Sequence, residues 1–295
     1  MKKPKLKQPK KKQRFGIFDA LNYVLMVLLA LIILFPFYNA IIISFLSEKE
    51  LANFNGIWPD SFTLDAYKVI FSDKWVFNGY KNSILITVVG TVYTLFITAT
   101  CAYGFSRPHF KGKSLIFNIF VFTMFFGGGM IPSYILIKDL GLMNNLLSLI
   151  LPSGMSVYYM LLMRSFFINI PSSIKEAAML DGAGEWTILF RIILPLSKPI
   201  IATVGLFTMV DYWNAWFNAM LYINSADKRP LQLALREIIN SGASTSSLLL
   251  QNIEKLSTQS YTMASVVVTM LPIMCIYPFL QKYFVKGIMI GGVKE

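Results

Sequence analysis

The 295-residue chain is 55% hydrophobic and 14% charged, with a mean hydropathy of +0.58. Few charges and a strongly positive mean hydropathy for a chain of this length argue against a water-soluble globule. The formal charge of +12 has two readings, a polyanionic partner or a membrane topology, and its distribution along the chain separates them.

Residues 1–17 form a basic arm carrying Lys2, Lys3, Lys5, Lys7, Lys10, Lys11, Lys12 and Arg14. Rich in Lys, Pro and Gln, it has nothing to bury and is expected to be disordered, touching anionic lipid headgroups at most. The apolar run 21–46 then exceeds the roughly 7–15 residues of a signal-peptide core, and no small-residue cleavage site follows, so it reads as an uncleaved first span. Further apolar stretches at 83–105, 114–137, 146–168, 199–222 and 261–284 approach the ~20 residues that cross a bilayer at 1.5 Å each. They are continuously apolar rather than alternating, which selects helices over a barrel. The fold class expected is all-α: a polytopic membrane protein of six transmembrane helices, with 18–295 forming one domain.

A cytoplasmic arm places the 106–113 loop, the 169–198 loop and the C-terminus on the same side. That side then holds 18 of the 27 Lys and Arg, including Arg107, Lys111, Lys113, Arg164, Lys175, Arg191, Lys198, Lys282, Lys286 and Lys294. The outer side balances nine bases with nine acids. Topology accounts for the charge without nucleic acid.

Between the first two spans, residues 47–81 mix charges with aromatics and are expected to form a small ordered cap at the membrane surface. In the third span, Gly127-Gly128-Gly129 before Ile131-Pro132 permits a helix break. Its two readings are a translocation pathway and close helix packing. Between spans four and five, Ser173 and Glu176 have capping-box spacing, so a short helix is expected to start at Ile174 and to end at a left-handed Gly182. Pro195 is expected to stop a second short helix. Small Ala177 and Ala178 would leave backbone open to a partner.

Span five carries Asp211, Trp213, Asn214, Trp216 and Asn218. A carboxylate at mid-span is expensive unless it faces an interior or a wet cavity. Spacings of three and four put Thr208, Asp211, Asn214 and Asn218 along one helix face, which is expected to face the bundle. The stripe reads either as a substrate path, with the indoles stacking on sugar rings, or as interhelical polar glue with an aromatic belt. The polar stretch 223–260 contains Arg229-Pro230-Leu231-Gln232 and Ser244-Thr245-Ser246-Ser247. Cys101 and Cys275 lie in separate spans and His109 is the sole histidine. No HExxH, GxSxG or phosphate-binding glycine loop is present, so hydrolytic chemistry, metal and cofactor are not expected.

The run Glu176-Ala177-Ala178, Asp181-Gly182-Ala183, then Ile192, Leu194 and Pro195 resembles the coupling-loop signature of permease subunits of binding-protein-dependent ABC importers. Asn82-Ser83, Arg164-Ser165-Phe166-Phe167 and the tail from Gly287 to Lys294 are similar to the smaller permease of maltose-type carbohydrate importers. The glycine-rich 127–129 stretch resembles a branch of that family handling complex oligosaccharides. The resemblance implies a type I importer permease of the bacterial plasma membrane, with both termini cytoplasmic. Its implied partners are a second homologous permease, two ATPase subunits, an extracytoplasmic solute-binding protein and an oligosaccharide. It further implies that loop 169–198 couples to the ATPase through Glu176, with Ser173, Ala177, Ala178, Asp181, Gly182, Ala183, Leu194 and Pro195 shaping that contact. Gly291, Gly292, Val293 and Lys294 would make a second ATPase contact, and loop 223–260 would reach into the binding protein. Two rivals are an ion-coupled secondary transporter using Asp211, which leaves the loop signature unexplained, and a non-transporting membrane scaffold, which leaves the polar stripe without purpose.

Overall fold

The computed structural model describes residues 16–108, 111–241 and 257–292, with side chains described to 240 and from 257 to 276. His109, the segment Ser244 to Ser247 and almost all of the basic arm lie outside the described residues. Among the described residues the regular structure is helical throughout.

Helix α1 (Ile17–Ile43) starts where the Asp19 carboxylate accepts the Gly16 N–H at 2.9 Å. Its side chains from Ile17 to Phe37 are largely exposed and apolar, and its far end packs on the last helix. Such a surface requires lipid or another apolar protein face. The 47–81 segment is ordered by two short helices, α2 (Glu48–Asn53) and α3 (Asp65–Ser72). Ala66, Val69 and Ile70 of α3 share a core with Val76, Tyr261, Ala264 and Val268.

The spine is α4 (Lys74–Ser106), whose 33 residues extend about 50 Å at 1.5 Å each. It packs most extensively against α8 (Val157–Ile168) and α12 (Lys198–Trp213). Glycine enables the approach: a Cβ at Gly90 would stand 2.7 Å from the Tyr212 ring of α12. At the upper end of α4, Asn82 donates to the carbonyls of Asp227 and Arg229 at 2.8 and 3.2 Å. The Ser83 hydroxyl accepts the Leu231 N–H at 2.9 Å, pinning the start of α14 (Leu231–Ser241).

Among the described residues the six expected spans do not all form as single helices. Helices α1, α4 and the stretch Thr258–Ile276 of α15 (Thr258–Gly292) are long and apolar enough to cross a membrane, and two bent pairs raise the number to five. The expected third span divides into α5 (Lys113–Phe125) and α6 (Met130–Asp139), bent by 112°. Gly129 there adopts φ +88, open to glycine and strained for other residues. Among the described residues nothing comes within 4 Å of a Cβ built on Gly127, so close packing does not explain that glycine. The expected fourth span is interrupted after the single turn of α7 (Leu147–Ile150), and α8 alone extends about 18 Å, well short of a ~30 Å hydrocarbon core. Pro152 lies in the break, and the Tyr93 ring occupies the space a Cβ on Gly154 would need. The expected fifth span stops at Asn214 and resumes as α13 (Phe217–Tyr222).

Candidate functional site

Two regions collect the residues singled out by sequence: a helical segment at the lower end of α4, and a polar cavity between α4, α8 and α12.

The lower segment begins with α9 (Ser172–Leu180). The expected capping box does not form. Pro171 is the N-cap and the helix starts at Ser172, so Ser173 sits inside the first turn rather than at the cap position and makes no cap bond. The C-terminus follows expectation: Gly182 takes φ +81, its N–H reaches the Met179 carbonyl at 3.0 Å and Ala183 N–H reaches Ala178 at 2.9 Å. These two bonds are the paired closure of a Schellman motif. Glu176, Ala177 and Asp181 face outward. Ala178 does not: it is buried against Met163, Phe167 and Ile188, so the pair of alanines is not jointly open.

The second half is α10 (Glu185–Ile188), a π-wound turn (Leu189–Ile193) and α11 (Leu194–Leu196). Pro195 does not stop this helix, since the preceding wide turn, in which Leu194 N–H bonds to the Leu189 carbonyl, opens the ladder where the ring would clash. The chain turns at Ser197, and α12 leaves at 85° to the α10–α11 run. Ile188, Leu189 and Ile193 are fully buried in one cluster with Ala102, Tyr103 and Phe105 of α4 and Met160 and Phe167 of α8. The segment is thus seated on the main bundle and exposes one face of α9.

Polar contacts reinforce that seat. Lys175, largely buried, donates to the Phe167 carbonyl at 3.1 Å. Burial first, and then the positive charge of Arg107, hold its ammonium pKa below 10.5. Glu185 accepts from Tyr103 and from Arg107, each at 2.5 Å, and Arg164 donates to the Phe105 carbonyl at 3.0 Å. Sequence reading did not single out Glu185 or Tyr103, whose separation of 82 residues leaves no local signal.

The cavity of about 380 Å³ is lined by Thr94, Ser153, Ser156, Tyr159, Thr208, Asp211, Tyr212, Asn214, Trp216 and Asn218, with Ala215 and Phe217. Asp211 accepts the Tyr159 hydroxyl at 2.7 Å. Tyr212 bridges Thr94 Oγ1 at 3.0 Å and the Ile150 carbonyl at 3.1 Å. The Thr208 hydroxyl is buried and meets no protein partner. The 214–216 break brings non-helical backbone beside this polar space, the setting in which lipid-depth irregularity is tolerated. Thr208, Asp211, Asn214 and Asn218 all line this cavity, although Asn218 does so from α13, beyond the break, and not from the same helix face.

Trp213 does not join them. It is buried on the opposite side, lining an apolar pocket of about 170 Å³ with Ile84, Leu206 and Pro272. Arg236 of α14, not anticipated from sequence, places its guanidinium 3.6 Å from the Trp216 ring centroid. Asn144, with φ +56, was also missed: it ties the 141–145 turn to Tyr222, Asn224 and Ser225 by backbone and side-chain bonds. In the 223–260 stretch, Arg229 pairs with Glu237 at 2.6 Å. At the chain end Gly291 and Gly292 are the last helical residues of α15, and Val293 and Lys294 lie outside the described residues.

Residues 15–290 match the profile of binding-protein-dependent transport system inner membrane components. Protein LplC of Bacillus subtilis (strain 168) is 42% identical over 94% of this chain and 95% of its own length. The polygalacturonan/rhamnogalacturonan transport system permease protein YtcP of the same organism is 39% identical over 94% and 98%. In solved structures, a chain of a bacterial ABC transporter that imports the acidic polysaccharide alginate has a TM-score of 0.87 at 31% identity, covering 94% of this chain and 100% of its own.

Proposed function

The chain belongs to the family of inner membrane components of binding-protein-dependent transport systems, and from that premise we propose that it is a permease subunit of an ABC importer carrying oligosaccharide across the bacterial plasma membrane. The observation that carries the coupling part is the exposed face of α9: Glu176 and Ala177 point outward, while Ala178 is buried in the cluster shared with α4 and α8 and Lys175 donates to the Phe167 carbonyl of α8. A helix anchored at one face and open at the other can receive a partner and pass its displacement toward the bundle. Two ATPase subunits, a second homologous permease and an extracytoplasmic solute-binding protein complete the assembly. In this reading the 169–198 loop and both termini are cytoplasmic, Glu176 contacts the ATPase, and the chain end from Gly291 to Lys294 makes a second contact.

The polar cavity is the substrate path on this side of the permease pair. Asp211, Asn214 and Asn218 offer a carboxylate and two amides to sugar hydroxyls, Thr208 adds a hydroxyl without a protein partner, and Trp216 adds an aromatic face. Trp213, on the other side, holds no sugar. Alternating access follows when ATP binding and binding-protein docking favour different conformations of the same assembly.

The relatives named for polygalacturonan, rhamnogalacturonan and alginate support a saccharide cargo. The test is uptake into proteoliposomes carrying the whole complex, with neutral and uronate-containing oligosaccharides offered on matched binding proteins. Saturable, ATP-dependent uptake of one saccharide class supports the reading. Uptake of amino acids or ions but of no saccharide overturns it.

A further inference from the structure

We propose that Glu185 is a positioning residue for the transport cycle: with Tyr103 and Arg107 it forms a clasp that fastens the coupling segment to the lower end of α4. This inference rests on the coupling reading of residues 169–198 given above and adds a residue outside that signature.

The Glu185 carboxylate opens α10 and is divided between two partners on one short stretch of α4. Oε2 accepts the Tyr103 hydroxyl at 2.5 Å and Oε1 accepts Arg107 Nη2 at 2.5 Å. Arg107 is the C-cap residue of α4 and also leans on Met179 of α9, with Nη2 3.8 Å from Sδ. Its backbone carbonyl accepts Lys113 Nζ, so the residue is itself held by the start of α5. One carboxylate therefore links α10 to the helix that runs past the cavity, where Thr94 of α4 bonds to Tyr212.

The chemistry suits a joint that bears on motion. The seat beneath it is apolar: Ile188, Leu189 and Ile193 are buried with Ala102, Phe105 and Phe167, and the hydrophobic effect that holds them there is non-directional. The clasp is directional: two hydrogen bonds to one carboxylate fix the rotation of α10 about the end of α4. The Glu185 side chain is 55% exposed and that of Arg107 22%, so the pair is reachable by water and can open and reclose. Without it α9 and α10 stay seated but lose registry with α4. Displacement imposed at Glu176 is then taken up in the seat before it reaches the cavity.

The test uses the full complex in proteoliposomes and reads saccharide imported per ATP hydrolysed. Loss of folded complex lowers uptake and hydrolysis together and leaves that ratio unmoved, whereas a slack joint lowers the ratio. Glu185→Gln keeps the shape and an acceptor for Tyr103 but removes the ionic partner of Arg107. Glu185→Gln and Arg107→Glu are each expected to reduce the ratio about five-fold, and the exchanged pair Glu185→Arg with Arg107→Glu to recover at least half of it. Single variants that keep the wild-type ratio overturn the proposal, as does an exchanged pair no better than the singles. Glu176→Ala in parallel separates the two ideas. If it uncouples while the Glu185 variants behave as wild type, the clasp alone is wrong, and if uptake is indifferent to Glu176 and to ATP, the coupling reading is wrong.

Discussion

Substituting Gly90 by alanine probes the contact between α4 and α12 on which the cavity depends. The added methyl would stand 2.7 Å from Cε2 and Cζ of Tyr212 and 2.8 Å from Cε1, roughly 1 Å inside normal carbon–carbon contact. The ring has no cheap escape, because its hydroxyl is held by Thr94 Oγ1 at 3.0 Å and by the Ile150 carbonyl at 3.1 Å. Either the helices separate, an overpacking cost of about 1–3 kcal/mol, or the ring swings and gives up bonds worth about 0.6 kcal/mol each within membrane bundles. The expected loss is therefore about 1–3 kcal/mol, measured by denaturant unfolding in mixed micelles. Gly90→Ala combined with Tyr212→Leu should cost less than the sum of the two, since the smaller side chain vacates the contested space. Gly90→Ala within about 0.5 kcal/mol of wild type, or a strictly additive double variant, would refute the packing argument.

At Gly182 the cost should come from the backbone alone, since its φ is +81 and nothing lies within 4 Å of a built Cβ. Gly182→Ala is expected to lose about 1–2 kcal/mol and Gly182→Asn less, in the same unfolding assay. The buried Lys175 ammonium titrates below 10.5, so the folded state binds fewer protons than the unfolded one across the interval up to that value. Wild-type stability should thus rise with pH through that interval, relative to Lys175→Met, and level off above it. A thermal-shift difference that stays flat as pH rises toward 10.5 would contradict the assignment. Asp211→Asn keeps the acceptor for Tyr159 but removes the charge from the cavity. Uptake kcat/KM is expected to fall about 10–100-fold with assembly intact, the effect of about 1.5–3 kcal/mol from charged hydrogen bonds. Unchanged saccharide uptake would remove Asp211 from the path.

The features legible in the sequence were those with local physical causes. Hydropathy located the apolar stretches, Gly127-Gly128-Gly129 marked the 112° bend, and Gly182 marked the end of α9. Spacing grouped Thr208, Asp211, Asn214 and Asn218, and all four line the cavity, although the helix breaks between the last two. Part of what failed depended on contacts made far along the chain, and part on local geometry that spacing alone misjudged. The break in 146–168 accommodates Tyr93 against Gly154, and the clasp needs Tyr103 to meet Glu185 across 82 residues. Ser173 and Glu176 had the right spacing for a cap, but Pro171 moved the helix start by two residues and left both side chains outward. Trp213 shares the polar run with Asp211, yet two positions along a helix are about 200° apart, so it turns to the apolar side.

The central claim is that conformational change at α9 is driven by ATP and delivered to the cavity. It is tested most directly by binding-protein-stimulated ATP hydrolysis and saccharide uptake in the reconstituted complex, comparing wild type with Glu176→Ala and Gly182→Pro. The account predicts that wild-type uptake requires ATP and that both substitutions abolish stimulated hydrolysis and uptake while the assembled complex still purifies. Uptake that persists without ATP, with both variants as active as wild type, would contradict it.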